Sequence, residues 1–253
     1  MKVELETLII FLLIVAVAAA VQTITGFALG LVLVAVTTAV NLVEISYSAA
    51  VIAIISMSHA AIALRRSYRQ VQSQIFRPLL YGLIPSLLVG YQLLDYLSGE
   101  NDIILRYILG LMVIVAGSLM MAKPMVLAVQ SKSHVSVWVG LLGGVFGGLY
   151  SAAGAPIAYY LYRQPMTIIS IRSTLLAIFL VSTGLRTVIA GFSGHLTIEV
   201  LATALFSLPV VIITTLVAEK FLPAIPDRSI RTLVFLVLIS LGFSLLIQPG
   251  SFA

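Results

Sequence analysis

Val21-Gln22-Thr23-Ile24-Thr25-Gly26-Phe27-Ala28-Leu29-Gly30 lies inside the first apolar segment of this chain. Gly147-Gly148-Leu149-Tyr150-Ser151-Ala152-Ala153-Gly154-Ala155-Pro156 lies inside the fifth. Around these stretches the apolar segments run near 7–40, 45–64, 78–98, 103–122, 135–162, 168–190, 197–218 and 229–247, with polar or turn-forming residues between them. A membrane-crossing helix needs about 20 residues at 1.5 Å rise each. Six segments fit that length. The first would be roughly 50 Å long as a straight helix, against a hydrocarbon core of about 30 Å. The fifth carries Gly140, Gly143, Gly144, Gly147, Gly148 and Gly154 ahead of Pro156. Both read as broken or re-entrant helices rather than plain spans.

Composition sets the solvent. Of 253 residues, 61% are hydrophobic and 9% are charged, with 14 Lys or Arg against 9 Asp or Glu. Mean hydropathy is +1.17. A soluble domain carries about 25% charged residues to cover its surface. A soluble globular enzyme, a disordered chain and a nucleic-acid binder are therefore excluded. The net charge of +5 sits in short loops between apolar runs. The chain has no cysteine, which removes disulfides, iron–sulfur clusters and thiol catalysis. Lys2 and the run Ala18-Ala19-Ala20 hint at a signal peptide. Glu4 and Glu6 dilute that positive start, and the apolar stretch continues to Val40, so the segment reads as part of the mature protein. The expected fold is an all-α polytopic membrane protein of seven or eight apparent segments, with the lipid bilayer as its surroundings.

The chain also repeats itself. At an offset of 124 residues Gly30 meets Gly154, Ser46 meets Ser170 and Pro85 meets Pro209. At 125, Asp102 meets Asp227, Arg106 meets Arg231 and Gly117 meets Gly242. These matches divide the chain into a first repeat at 1–122, a cytoplasmic linker at 123–134 and a second repeat at 135–253, within one membrane domain. Basic residues follow four of the segments: Arg65, Arg66, Arg69 and Arg77; Lys123 and Lys132; Arg163 and Arg172; Lys220, Arg228 and Arg231. The loop Gly191 to His195 has none. If the first and fifth segments enter and return on one side, 11 of the 14 basic residues (all but Lys2, Arg106 and Arg186) lie on the cytoplasmic face. Each half is then one re-entrant hairpin plus three crossings. Three is odd, so the halves are inverted and both termini lie outside. Inverted repeats are a transporter architecture. Eight plain spans, with a weak charge bias in the second half, is the alternative.

Glycine lets backbones approach closely and adopt unusual dihedrals. A break within the membrane frees N–H groups that lipid cannot satisfy. A helix N-terminus also carries partial positive charge, which suits an oxyanion. Gln22, Thr25, Gly26 and Phe27 from one break, and Tyr150, Ser151 and Gly154 from the other, are the substrate-binding candidates. Gly140, Gly144 and Gly148 read instead as a close-packing face. Arg172 and Arg186 are 14 residues apart, nearly four helical turns, and share a face with Ser182 and Thr183 close by. Arg186 suits an anion-facing role or an interfacial anchor, and Arg172 suits an anion or simple topology. Ser48 occupies the position equivalent to Arg172, and His59 shares its face; His59 is the proton-coupling candidate, or an interfacial residue near Arg65. Pro85 and Pro209 are equivalent kink or hinge positions. Glu44, Asp95, Glu100 and Asp102 read as solvated loop ends.

Enzyme chemistry finds no footing. There is no His-Glu-x-x-His and no Gly-x-Ser-x-Gly, and His59, His134 and His195 are far apart. A retinal protein would need a lysine in its last helix, and 229–247 has none. No catalytic residue, metal site or cofactor is expected.

The two signatures, taken with Ala63 to Gly90, Tyr159-Tyr160-Leu161 and Arg172, resemble the TauE/SafE family, also called the sulfite exporter or TSUP family. Its first half carries a Gln-x-x-x-Gly-Phe-Gly type motif and its second a glycine ladder ending in Gly-Gly-Pro-Pro. Here Ala28 stands for a glycine, Gly154-Ala155-Pro156 replaces Gly-Gly-Pro-Pro, and Thr37 and Thr38 lie near a usual proline. The resemblance implies a permease or exporter, in a prokaryotic-type inner cell membrane, for a small sulfur-containing anion such as sulfite, sulfoacetate or another organosulfonate. The expected mechanism is alternating access around an anion site between the repeats, with protons the candidate coupling ion and a homo-oligomer compatible. An anion-selective channel is the nearer alternative and a membrane enzyme the more distant one. The departures suggest a divergent subgroup and bear on the choice of anion more than on the fold.

Overall fold

The computed structural model describes residues 5–65, 67–98, 102–121, 125–221 and 227–247, with backbone alone at 24, 25, 219, 221 and 227–233. Lys2, Arg66, Glu100 and Lys123 lie outside the described residues, as do the side chains of Thr25, Asp227, Arg228 and Arg231. The described chain is helical throughout: α1 (Leu5–Thr25), α2 (Leu29–Ala39), α3 (Ile45–Leu64), α4 (Ser73–Leu97), α5 (Asp102–Met121), α6 (Ser133–Tyr150), α7 (Gly154–Tyr162), α8 (Ile168–Phe192), α9 (Ile198–Phe221) and α10 (Asp227–Ile247). A single 3-10 turn covers Tyr68–Gln70.

Six of these helices (α1, α3, α5, α6, α8 and α9) are long and apolar enough to cross a membrane. Large apolar side chains such as Leu13, Tyr81, Leu111, Trp138, Phe206 and Ile213 stand exposed along the outside of the bundle. In water such a surface would aggregate; in lipid it is the favourable one. The fold is that of an all-α polytopic membrane protein.

The first and fifth apolar segments are each two helices. The chain turns between α1 and α2 at Gly26–Ala28 and between α6 and α7 at Ser151–Ala153. Left-handed backbone makes both turns: φ is +86° at Gly26 and +55° at Ser151. Glycine adopts that conformation without a Cβ penalty, whereas serine must be held there by its surroundings.

Each pair folds back as a hairpin. α6 starts beside Gln130 and Ser133, which share a surface pocket with Arg77. It ends where Tyr150 reaches Leu105 and Ser151 reaches Ala49, near the starts of α5 and α3. α7 then returns, and the carbonyl of Arg163 accepts from the Leu127 N–H in the segment preceding α6. α1 reaches the level of His59, late in α3, through Gln22. α2 climbs back, with Gly30 beside Ile52, until Asn41 meets Arg106 near the start of α5. Arg77, Lys132, Arg163 and Arg172 thus gather at one end of the bundle. Glu44, Asp95 and Arg106 lie toward the other.

The glycine ladder is a packing face. A Cβ on Gly140, Gly144 or Gly148 of α6 would collide with the carbonyls of Leu79, Leu83 and Leu87 on α4. Gly82 and Gly90 of α4 press in return on the carbonyls of Val137 and Val145. Removing side chains at this spacing lets the two backbones touch, and dispersion replaces the hydrophobic drive that lipid cannot supply. Elsewhere α1 packs on α9, α3 on α8 and α5 on α10. Gly110 and Gly242 cross backbone to backbone between α5 and α10. Pro85 and Pro209 lie inside α4 and α9.

Candidate functional site

The two helix breaks meet at the centre of the bundle. A Cβ on Gly30, in the first turn of α2, would sit 2.8 Å from the Ser151 carbonyl oxygen. A Cβ on Gly154, which opens α7, would sit 3.1 Å from the Phe27 carbonyl oxygen and 2.8 Å from the Phe179 ring. These two contacts are the same contact at an offset of 124 residues. Each break therefore leans on the other through a glycine. A side chain at either glycine would collide with the opposite break.

At the first break Gln22 is 5% exposed. Its Oε1 accepts the Leu29 N–H at 3.1 Å, satisfying one of the unpaired donors at the start of α2. Its Nε2 lies 2.8 Å from Nδ1 of His59. With Oε1 engaged by an N–H, the amide's remaining group is its donor, so His59 Nδ1 accepts and the ring proton sits on Nε2. The Gly26 N–H donates to the Gln22 carbonyl at 2.6 Å. Gly26 also packs against Arg172 Cγ and the Tyr162 hydroxyl, each 3.7 Å from where its Cβ would be. Phe27 is buried.

At the second break the hydroxyls are spent on backbone. Ser151 Oγ donates to the Ala49 carbonyl at 2.6 Å, and the Tyr150 hydroxyl donates to the Leu105 carbonyl at 2.7 Å. Arg186 Nε donates to the Gly148 carbonyl at 3.0 Å, one turn before the break.

Space for a ligand lies on either side of the crossing. Toward the basic end a cavity of about 370 Å³ is lined by His59, Ser67, Arg172, Ser173 and Thr215, among others. Toward the opposite end a cavity of about 340 Å³ is lined by Glu44, Tyr91, Asp95, Arg186 and His195, among others. Arg172 and Arg186 lie on α8, so the two cavities are separated by about 21 Å of helix. Arg186 is 1% exposed, and its Nη1 has no hydrogen-bond partner among the described residues. Its guanidinium lies 5.4 Å over the Tyr91 ring, a cation–π contact that compensates the charge only in part. A buried cation without a paired carboxylate is costly, and an anion in the adjoining cavity would relieve that cost.

The sequence brought together Gln22, Gly26, Phe27, Tyr150, Ser151 and Gly154 as one site, and the structure places all six around the crossing. Arg172, Arg186 and His59 line the flanking cavities. Pro85 and Pro209 line neither. One linked set went unread: the Tyr91 hydroxyl lies 2.9 Å from His195 Nδ1, and His195 Nε2 lies 3.4 Å from Asp95. Tyr91 and Asp95 sit one turn apart on α4 and could have been paired from their spacing. His195 arrives from 104 residues away and could not. Among the described residues, no three His, Cys, Asp or Glu side chains gather as a metal site would need.

A lipid-facing helical bundle with two hairpins meeting at its centre, and an arginine-bearing cavity on each side of that meeting (the one at Arg186 also lined by Glu44 and Asp95), has the layout of a membrane transport protein. The chain belongs to the sulfite exporter TauE/SafE family, whose model matches residues 11–245. It is 32% identical over 230 residues to the "Probable sulfite/organosulfonate exporter TauE" of Cupriavidus necator, covering 91% of this chain and 90% of that relative. No solved structure matches.

Proposed function

We propose that this transporter moves a small sulfur oxyanion, sulfite or an organosulfonate, across the inner membrane by alternating access. Its two halves act as inverted repeats. The observation that carries this reading is Arg186: a buried guanidinium with an unpartnered Nη1, lining a cavity across the closed crossing from a second cavity lined by Arg172. The name of the Cupriavidus relative, a probable sulfite/organosulfonate exporter, supports the class of substrate.

The packing supports the repeats. α4 on α6 and α9 on α1 exchange under the offset, while α3 with α8 and α5 with α10 pair each helix with its own counterpart. The basic end faces the cytoplasm by the positive-inside rule. That places both termini outside and makes α1–α2 and α6–α7 re-entrant from opposite faces. Gln22, Gly26, Phe27, Tyr150, Ser151 and Gly154 keep the crossing closed, with Thr25 beside them in sequence. Arg172 receives the anion from one side and Arg186 from the other. Pro85 and Pro209, in the helices that grip α6 and α1, are the hinge positions as the halves rock.

Counterflow in proteoliposomes tests the reading. Labelled sulfite should enter faster when unlabelled sulfite or sulfoacetate fills the lumen. Flux that rises linearly with concentration, without trans-acceleration, would support an anion channel and sink the carrier.

A further inference from the structure

The first break is tied to a histidine, and the second is not. The tie is a short chain: His59 Nδ1 accepts from Gln22 Nε2, and Gln22 Oε1 accepts from the Leu29 N–H. Leu29 is followed by Gly30, which presses on the Ser151 carbonyl. Ser151 in turn is anchored through Oγ to the Ala49 carbonyl on α3, the helix that bears His59. The chain therefore runs from the basic-end cavity, which His59 lines, to the contact that closes the crossing.

We propose that His59 is the site of a co-transported proton, and that its protonation unlatches the first break. The inference rests on the transport reading above and adds its second substrate. A neutral imidazole offers Nδ1 as an acceptor. A proton at Nδ1 turns it into a donor facing the Gln22 NH₂, and two donors repel. Rotating the Gln22 amide would pair its oxygen with His59 but set its NH₂ against the Leu29 N–H. Rotation costs Leu29 its acceptor, and without rotation the repulsion drives the whole amide away from His59; in both cases the start of α2 is held less firmly.

The charges around His59 decide when this happens. α1 presents Gln22, α8 presents Arg172, α9 presents Thr215, and the loop after α3 presents Ser67. Arg172 is the one charged residue among the described lining of that cavity. An anion held at Arg172 would place negative charge in the cavity that His59 also lines, so anion and proton bind cooperatively and the latch opens only when both are present. The offset of 124 residues puts Phe146 and Thr183 where Gln22 and His59 stand, so the second break holds no such pair.

The experiment uses the full-length protein in proteoliposomes, with sulfoacetate as the probe and a trapped pH-sensitive dye as a second readout. Both charges of sulfoacetate are constant between about pH 5.5 and 8, so a profile across the histidine range reports the protein. Sulfoacetate flux should carry protons and vary with pH. His59→Asn, which keeps an acceptor near Nδ1 but binds no proton, should leave a slowed flux that is flat in pH and carries no protons. Gln22→Glu accepts from a protonated His59 while still capping Leu29, so it should shift the profile to higher pH and slow turnover. Wild-type sulfoacetate flux without proton movement overturns the latch while leaving the carrier intact. So does a His59→Asn flux that keeps the wild-type profile. If His59→Asn is silent, an unshifted profile in Gln22→Glu overturns it. Wild type that carries neither sulfite nor sulfoacetate overturns the transport reading itself.

Discussion

The two helix breaks occupy equivalent places and are closed by different chemistry. The first turns on a glycine, Gly26, and ties its new helix to a glutamine and a histidine. The second turns on a serine held left-handed, with hydroxyls and an arginine Nε committed to backbone carbonyls. Histidine changes charge near neutral pH; serine, tyrosine and arginine do not. Equivalent position thus fixes where the chain bends, and side-chain identity fixes what can release it. The same contrast holds for the two arginines of α8. Arg172 is exposed beside the glycine turn, whereas Arg186 is buried behind the serine one.

Mutations can break this comparison or sharpen it. The largest effect should come from Arg186→Leu, which removes a charge-assisted bond to the Gly148 carbonyl and the proposed anion contact together. Transport should fall roughly 10- to 100-fold, measured as initial counterflow rate. Arg172→Leu should raise the KM for the anion and retain more of the maximal rate, because Arg172 is not part of a break. Equal losses in both variants would mean the two ends do not differ in kind. Next come Gly30→Val and Gly154→Val, which should each destabilise by about 1–3 kcal/mol through overpacking at the crossing, read as a lower Tm in detergent. Because the two contacts are equivalent, their Tm shifts should be similar. Ser151→Val should cost about 1–3 kcal/mol, from a lost buried hydrogen bond at a backbone conformation that disfavours a β-branched residue. Gly26→Ala should be the mildest, about 1–2 kcal/mol for left-handed backbone alone, since nothing stands closer than 3.7 Å to its added Cβ.

Much of the bundle was legible because it rests on local pattern. Excess length in the first apolar segment and glycine crowding in the fifth marked both breaks, and the chain turns within a few residues of the quoted motifs. Gly140, Gly144 and Gly148 read as a packing face and pack against α4. Arg77, Lys132, Arg163 and Arg172 were expected on one face and gather at one end. The roles of individual polar residues were harder. Gln22, Tyr150 and Ser151 were singled out as donors to a ligand; in the structure their side chains are engaged with Leu29, His59, Leu105 and Ala49. A donor's type can be read from sequence, but its partner depends on which backbone group folding brings within about 3 Å.

What the sequence determined by itself was the solvent, the number of helical elements to within the two breaks, and the family. Those follow from composition, segment length and short-range spacing, which need no knowledge of neighbours. Only the tertiary structure decided that the breaks touch through Gly30 and Gly154, and that His59 and Gln22 meet across 37 residues. It also decided that Arg186 is buried with one nitrogen unpaired. The reason is physical. Close approach and burial are properties of pairs distant in the chain, and which pairs form is settled only when all the helices pack together.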